Sequence, residues 1–490
     1  MGGGAAKLTT DESENTVTPM KTETPKRIRP LLIRAVLGLI VSAGPPSVKA
    51  QTVDGAPQLA IVPSQPTTNG DFERVVTSYD GVVVAMVVVG ISLPGLPPLP
   101  PSPPQVVIFD RATGEFELAS RTPNGGFQNA NPSSSTTRWL SISSDGRYVA
   151  FSSRASNLDP AVTPGREYTY VYDRVSRRVR AMNADLQGDA RGTLAGDGRL
   201  VGMICTGAAT GLPSPQTGIC LRRVDDLSLQ LVVTLPTTAG LINAPVVTSA
   251  DGNHLLFAYN GPGVGPGDLS QGCCIYVVDV RTGLVDRVAT AVDGATPDGG
   301  SGPPFAISAD GDFVAFVTAA SNLIPGVPTF NSIVVKQRSS GIIRRVSSTG
   351  SWGVDSPVLS ADGRRVMYMD YGFYIPGQLG RVYDWETQRS RFVASSSAAA
   401  VGSFVCASNP IFGIQPRMLE QRAAMSGDGR TIHYPLVEDR DVNGRCDLYT
   451  RQLGPVPAPA TSVSLGGSSM LLLLALALTI AAIRSPSRHQ

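Results

Sequence analysis

One nine-residue phrase recurs along the chain and limits what the chain can fold into. Aligned on Asp-Gly, it reads SYDGVVVAM from Ser78, SSDGRYVAF from Ser143, AGDGRLVGM from Ala195 and SADGNHLLF from Ser249. It returns as SADGDFVAF from Ser308, SADGRRVMY from Ser360 and SGDGRTIHY from Ser426. The aspartates Asp80, Asp145, Asp197, Asp251, Asp310, Asp362 and Asp428 follow one another at intervals of 52 to 66 residues. That is the length of a four-stranded unit with generous loops. Their repetition in every unit points to a hairpin turn rather than to a catalytic set. The turn needs a glycine that accepts positive φ and an aspartate that bonds the turn backbone.

The rest of each unit is equally regular. A strand such as RWLSIS runs into Asp145-Gly146, and YVAF returns as a second strand, apolar enough to be buried on both sides. A variable loop leads to YTYVYDR, a short turn and RVRAM, and the same pattern recurs as VVIFDRATGEFELA, IYVVDVRTGLVDRVA and IVVKQRSSGIIRRVS. With 52 glycines, 39 prolines and short Val/Ile/Tyr runs, the chain is all-β. No single unit of this kind can bury both its faces, so the units must pack on one another. The expectation is a β-propeller of seven four-stranded blades across residues 51–454.

The last unit, built on QRAAMS, TIHYPLV and CDLYTRQL, has no fourth strand, and APQLAIVP near the start is an orphan. The N-terminal strand is therefore expected to complete the last blade, which removes an open edge.

The phrase S-x-D-G-(x)2-V-A-F, the SNL at Ser156–Leu158 and Ser321–Leu323, and YVYDR together resemble the TolB-type WD-like β-propeller repeat, over roughly residues 70–453. The resemblance implies the fold and leaves six blades, as in TolB itself, as the alternative to seven. It carries little about function, because such propellers serve as binding platforms, as enzyme lids and as enzymes.

The two ends read as addresses. Lys26, Arg27 and Arg29 precede an apolar run from Leu31 to Ala43 that ends in Val48-Lys49-Ala50, a signal-peptide pattern with cleavage before Gln51. Interrupted by Arg34, the run is too short to span a bilayer core of about 30 Å. Residues 1–19 fit no signal-peptide region, and Met20 followed by Lys21 reads as the translation start. At the other end a Pro/Ser/Gly linker (455–469) leads to the apolar Met470–Ile483 and the basic tail 484–490. With Val463 to Ser469 recruited, this stretch makes a transmembrane helix with its basic end inside the cell. Linker, helix and basic tip also resemble the sorting tails of PEP-CTERM type, although PVPAPA stands where those tails carry Pro-Glu-Pro. The expected protein is exported and membrane-tethered, periplasmic or at the cell surface.

In an oxidising compartment the six cysteines can pair. The plausible pairs are Cys205 with Cys220 and Cys406 with Cys446; Cys273 and Cys274 are adjacent and bond each other only with strain. Asp439, Asp441, Asn443 and Gly444 reproduce the opening of a calcium loop, but Thr450 stands where an EF-hand needs a bidentate glutamate. A polar loop between second and third strands explains the same residues. No cofactor is otherwise expected. Zinc spacing is missing, no G-x-S-x-G elbow is present, and the histidines are His254, His433 and His489. His254 and His433 are read as one repeat position. Balanced charge, 41 Lys+Arg against 39 Asp+Glu, gives no case for nucleic acid.

The proline-dense stretch from Ser92 to Gln105 is expected to be extended and stiff. Arg174, Arg177, Arg178 and Arg180 are expected on a solvated outer face. The functional reading is a non-enzymatic scaffold binding an envelope protein or glycan through the long loops 207–217, 261–272 and 398–416. The alternative is a propeller enzyme acting on extracellular polysaccharide or peptide.

Overall fold

A computed structural model of the chain describes residues 58–61, 71–129, 139–206, 217–236, 244–261, 263–264, 274–292, 294, 297–327, 329, 332–347, 351–372, 378–393, 423–437 and 446–454. The expected signal peptide, the Met20 start, the linker and the C-terminal helix lie outside the described residues. Among those that are described, no helix is long and apolar enough to cross a membrane.

The strands form seven four-stranded antiparallel sheets, so the chain is a seven-bladed β-propeller and not a six-bladed one. Blade 1 is Asp71–Thr77, Val83–Val89, Gln105–Asp110 and Glu115–Leu118; blade 2 is Leu140–Ile142, Tyr148–Ser153, Tyr168–Asp173 and Arg178–Ala181. Blade 3 runs from Gly192–Leu194 to Leu229–Leu235, and blade 4 from Val247–Thr248 to Val285–Arg287. Blade 5 spans Ser301–Ile307 to Ile343–Arg345, and blade 6 Ser351–Leu359 to Arg389–Phe392. Blade 7 takes three strands from the end of the chain, Ala424–Met425, Thr431–Val437 and Cys446–Gln452. Its fourth is Gln58–Ile61, which pairs antiparallel with Cys446–Gln452. The N-terminal strand thus closes the ring, as its orphan status in the sequence implied.

Each first strand lies against the first strand of the next blade, and that of blade 7 against that of blade 1. Second and third strands sit between neighbouring sheets, which is why VVAMVVV and YVAFSS are buried almost throughout. Blades 1 and 2, for example, share a core in which Val83, Ala85 and Val87 pack with Val149, Phe151, Tyr170 and Tyr172.

The recurring phrase has one geometry. In six blades the opening serine is buried. Its hydroxyl donates to the aspartate Oδ1 at 2.5–2.6 Å, and its oxygen accepts the backbone N–H five residues on at 2.8–3.0 Å. In all seven, the same carboxylate oxygen accepts the N–H two residues on at 2.9–3.0 Å. The glycine that follows has φ between +67° and +76° in every blade. A second constraint comes from the neighbouring blade: a Cβ on Gly146 would lie 2.6 Å from a Val83 methyl, and one on Gly363 2.3 Å from the Phe313 ring.

The residue between serine and aspartate does something the sequence does not show. Tyr79 N–H donates to Ser144 O, Ser144 to Gly196, Gly196 to Ala250, Asp251 to Ala309, Ala309 to Ala361, Ala361 to Gly427, and Gly427 back to Tyr79. These bonds, 2.7–2.9 Å long, form an unbroken ring through all seven blades at one end of the axis.

Candidate functional site

The first strand of each blade is an edge strand, with backbone groups that no sheet partner uses. The chain handles this edge in two ways. Prolines 245, 303, 304 and 357 line the axis and carry no N–H to satisfy. Hydroxyls supply partners elsewhere: Ser141 Oγ accepts Leu194 N–H at 3.0 Å, and Thr193 Oγ1 accepts Thr248 N–H at 2.8 Å. Thr248 Oγ1 in turn donates to Thr193 O at 2.9 Å and accepts Gly202 N–H at 3.0 Å.

These strands enclose an axial cavity of about 260 Å3 beside the ring of phrase residues, lined by the two residues that precede each phrase. Its lining is mostly apolar, with Val247, Ile307, Val358, Leu359 and Met425 among the contributors, and Arg74 is its one ionisable residue among the described residues. The guanidinium is buried, 3% exposed, and stacks over the Trp139 ring at 5.1 Å from the centroid. Such a contact between a cation and an aromatic face strengthens as water is excluded. Trp139 Nε1 is buried and has no hydrogen-bond partner among the described residues. Both residues stand four places before the first residue of their phrase, in a column that continues as Arg191, Pro245, Pro304, Ser356 and Arg422. That column was the available sequence signal for this site, and reading the phrase alone missed it. Arg191 is held in a bidentate pair with Glu167, at 3.2 and 2.8 Å.

The repeat aspartates belong to the turns and not to this cavity. Burial pushes the Asp80 carboxyl up, but bonds from the Ser78 hydroxyl and Val82 N–H outweigh it and hold the group below its ordinary value; Asp251 behaves the same way through Ser249 and Asn253. A groove of about 400 Å3 between blades 5 and 6 gathers Asp310, Asp312, Asp362 and Glu386. Its acids are engaged: Asp310 and Asp362 in their turns, Asp312 with Gln337 and Ser339, and Glu386 with Arg364 at 3.4 Å. Among the described residues no group of three or more His, Cys, Asp or Glu is placed to hold a metal ion.

His254 and His433 do not share a repeat position. His254 opens its strand opposite Asp279, whereas His433 is the third residue of Thr431–Val437, opposite Thr450. His433 is fully buried; Nε2–H donates to Gly81 O of blade 1 at 3.2 Å and Nδ1 accepts from Thr450 Oγ1 at 2.8 Å. Burial first, and the nearby Arg111 charge second, lower its pKa to about 3, so the ring is a neutral strut between the last blade and the first.

Cys205 and Cys220 are joined by a disulfide between the second and third strands of blade 3. Cys446 opens the third strand of blade 7. Cys406, Cys273, His489 and the calcium candidates Asp439, Asp441 and Asn443 lie outside the described residues. So do residues 207–216 and 398–416 and most of 261–272.

Two expectations need correction. The proline-dense stretch is not extended: Gly90 N–H donates to Pro100 O and Leu99 N–H to Ile91 O, folding it back on itself. At its tip Pro94-Gly95 makes a turn with Gly95 at φ +76° and Leu96 N–H on Leu93 O, so the chain buries Ile91, Leu93 and Leu99 instead of reaching out. Of the arginines, Arg177, Arg178 and Arg180 are exposed as expected, and Arg174 alone is half-buried. Arg174 pairs with Asp110 and Glu117 of blade 1 at 3.0 and 3.1 Å, and Arg180 donates to the carbonyls of Val224 and Asp225 in blade 3.

No family model matches the chain, and no curated protein does. Among solved structures it is similar to an oligogalacturonate lyase in complex with manganese, with 11% identity over 83% of this chain and 98% of that one and a TM-score of 0.49. It is also similar to TolB from Acinetobacter baumannii, with 13% identity over 78% of this chain and 79% of that one and a TM-score of 0.37. A putative TolB from Agrobacterium tumefaciens shows 16% identity over 79% and 91% of the respective chains, with a TM-score of 0.35. These likenesses are in fold alone. The seven sheets of the chain itself establish it as a β-propeller.

Proposed function

We propose that this protein is exported, held at the cell envelope by its C-terminal apolar segment, and works as a non-enzymatic scaffold that binds an envelope protein or glycan. One observation carries the binding reading. All seven first strands converge on a cavity whose polar equipment is a guanidinium stacked on an indole, while its hydroxyls bond the strands themselves. A site so equipped holds a molecule by burial and by donated hydrogen bonds. The repeat aspartates and His433, the groups a reaction would draw on, are engaged in turns and in the last-to-first blade contact. Export is supported by the basic and apolar N-terminal pattern and by the Cys205–Cys220 bond, which suits an oxidising compartment.

The test is crosslinking of the full chain in intact envelopes, followed by incubation of the purified protein with the captured partner and with envelope glycans. Saturable binding with the partner recovered unchanged supports the scaffold. Progressive cleavage of a polysaccharide or peptide overturns it in favour of an enzyme. Fractionation tests the tether: the full chain is expected with membranes and a chain lacking residues 462–490 in the soluble fraction, and a soluble full chain removes the anchor from the reading.

A further inference from the structure

We infer that Lys336 is a site of reversible carboxylation, its side-chain amine taking up carbon dioxide as a carbamate at the seam between blades 4 and 5. The lysines of the chain are Lys7, Lys21, Lys26, Lys49 and Lys336, so from Gln51 onward Lys336 stands alone among arginines. It is the penultimate residue of the third strand of blade 5, Ser332–Gln337. The same place holds Phe109, Tyr172, Arg222, Val278, Tyr383 and Arg451 in the other blades. Tyr172 and Arg222 reach from it toward the preceding blade and donate to Glu117 and Asp185. Lys336 does likewise, its Nζ donating at 3.0 Å to Val288 O, one residue past the fourth strand of blade 4. Arg222 shows that an arginine serves as such a strut. What the lysine adds is chemical: its amine loses a proton far more readily than a guanidinium does.

The surroundings suit the uptake. The lysine is half-buried, and its strand neighbours Val314 and Ile343 belong to the core that Ile275 and Val277 of blade 4 complete. Burial lowers the pKa of the amine; Asp286 pulls the other way, and the charges of Arg338 and Arg287 add to the lowering. The neutral amine is therefore reached at lower pH than in an exposed lysine. Its nitrogen attacks the carbon of carbon dioxide. As the N–C bond forms, one C–O π bond becomes a lone pair on oxygen and a nitrogen proton passes to water. The product keeps one N–H for Val288 O and carries a carboxylate where the ammonium was. Three cations face Asp286 while the amine is protonated, whereas in the carbamate two cations face two anions. Arg338 is already bonded to Asp286 and to Gly311 O, both at 2.8 Å, so it acts here as a nearby charge and not as a free donor. Carbon dioxide is small and uncharged, and its entry to a half-buried amine needs no preformed pocket.

The test equilibrates the purified full chain with isotopically labelled bicarbonate at about pH 8, well below the ordinary lysine value of about 10.4, and compares it with the same protein in carbonate-free buffer. A trialkyloxonium salt converts a carbamate into a stable ester, which peptide mass spectrometry then locates. The label is expected on the peptide carrying Lys336, and only in bicarbonate. The α-amino group also reacts and serves as internal reference; Lys336→Arg should keep that label and lose the one at position 336. Asp286→Asn removes the anion beside the amine and should raise occupancy at Lys336 about two- to fivefold, while Arg338→Gln should lower it by a similar factor, the scale of a partly exposed charge pair. A lysine that is a strut and nothing more would answer to neither substitution. Label confined to the α-amino group, label at Lys336 without bicarbonate, or occupancy unmoved by both charge substitutions overturns the inference. The outcome is independent of the scaffold reading, which is decided by partner capture.

Discussion

Blade 3 contains a natural deletion: Ala195 stands where the other six phrases open with serine. In those six, the buried hydroxyl makes two bonds, donating to the turn aspartate and accepting the N–H that opens the second strand. Blade 3 keeps the aspartate half of the turn, with Arg199 N–H on Asp197 at 2.9 Å, and Ala195 N–H still donates to Leu200 O at 2.8 Å. The backbone is therefore shaped for a hydroxyl it lacks, and Ala195→Ser should restore both bonds without moving the chain. At 0.5–1.5 kcal/mol net per hydrogen bond, and with the hydroxyl itself desolvated, the gain comes to about 1–2 kcal/mol. Unfolding entropy grows by about 2 cal/mol/K per residue, so in a propeller of this size the melting temperature moves only ~1–2 °C and urea titration is the better assay. The urea midpoint should rise at unchanged slope, and the reciprocal Ser308→Ala should lower it by at least as much, since it strands Asp310 and the Phe313 N–H. A midpoint for Ala195→Ser equal to or below that of the parent would refute the reasoning.

Acid should weaken the contact between the last blade and the first: His433 is held neutral to about pH 3 by burial, so the unfolded chain takes up the extra proton below about 6.5. Stability contributed by His433 is complete above that pH and falls by up to about 1.4 kcal/mol per unit as pH drops toward 3; urea titrations between pH 7.5 and 4.5 measure it, and His433→Gln should flatten that part of the slope. Replacing both Cys205 and Cys220 by alanine should cost about 2–4 kcal/mol, read as a lower urea midpoint under non-reducing conditions and no difference from the parent in reductant. Deleting residues 51–65 removes Gln58–Ile61 and bares the edge of Cys446–Gln452, so aggregation on mild heating should rise sharply; an unchanged melt and clear solution would count against the closure.

What could be read without coordinates was local. The Asp-Gly turns, the apolar second strands and the third-to-fourth-strand hairpins each depend on residues within ten places of one another, so their pattern survives in the sequence. Where reading failed, the deciding partner was in another blade. Arg174 looked like one of several surface arginines because Asp110 and Glu117 belong to the preceding unit. His254 and His433 are an exception: the aligned phrases already set them two positions apart, sixth in SADGNHLLF and eighth in SGDGRTIHY, and the strand register agrees. The stretch from Ser92 to Gln105 was judged on proline content, while Ile91, Leu93 and Leu99 gain more by folding onto a core than the prolines lose in a turn.

By itself, then, the sequence determined the turn chemistry, the repeat of four-stranded units and the strand expected to close the ring, while six blades stood open beside seven until the seven sheets decided it. These follow from short-range pattern and from the arithmetic of one orphan strand near the start and a last unit one strand short. Only the tertiary structure decided that the residues between serine and aspartate join hands around the axis, and that Arg74 lies on Trp139. Both arise between successive blades, in a geometry that exists only once seven sheets have curved into a closed circle and turned their first edges to a common centre.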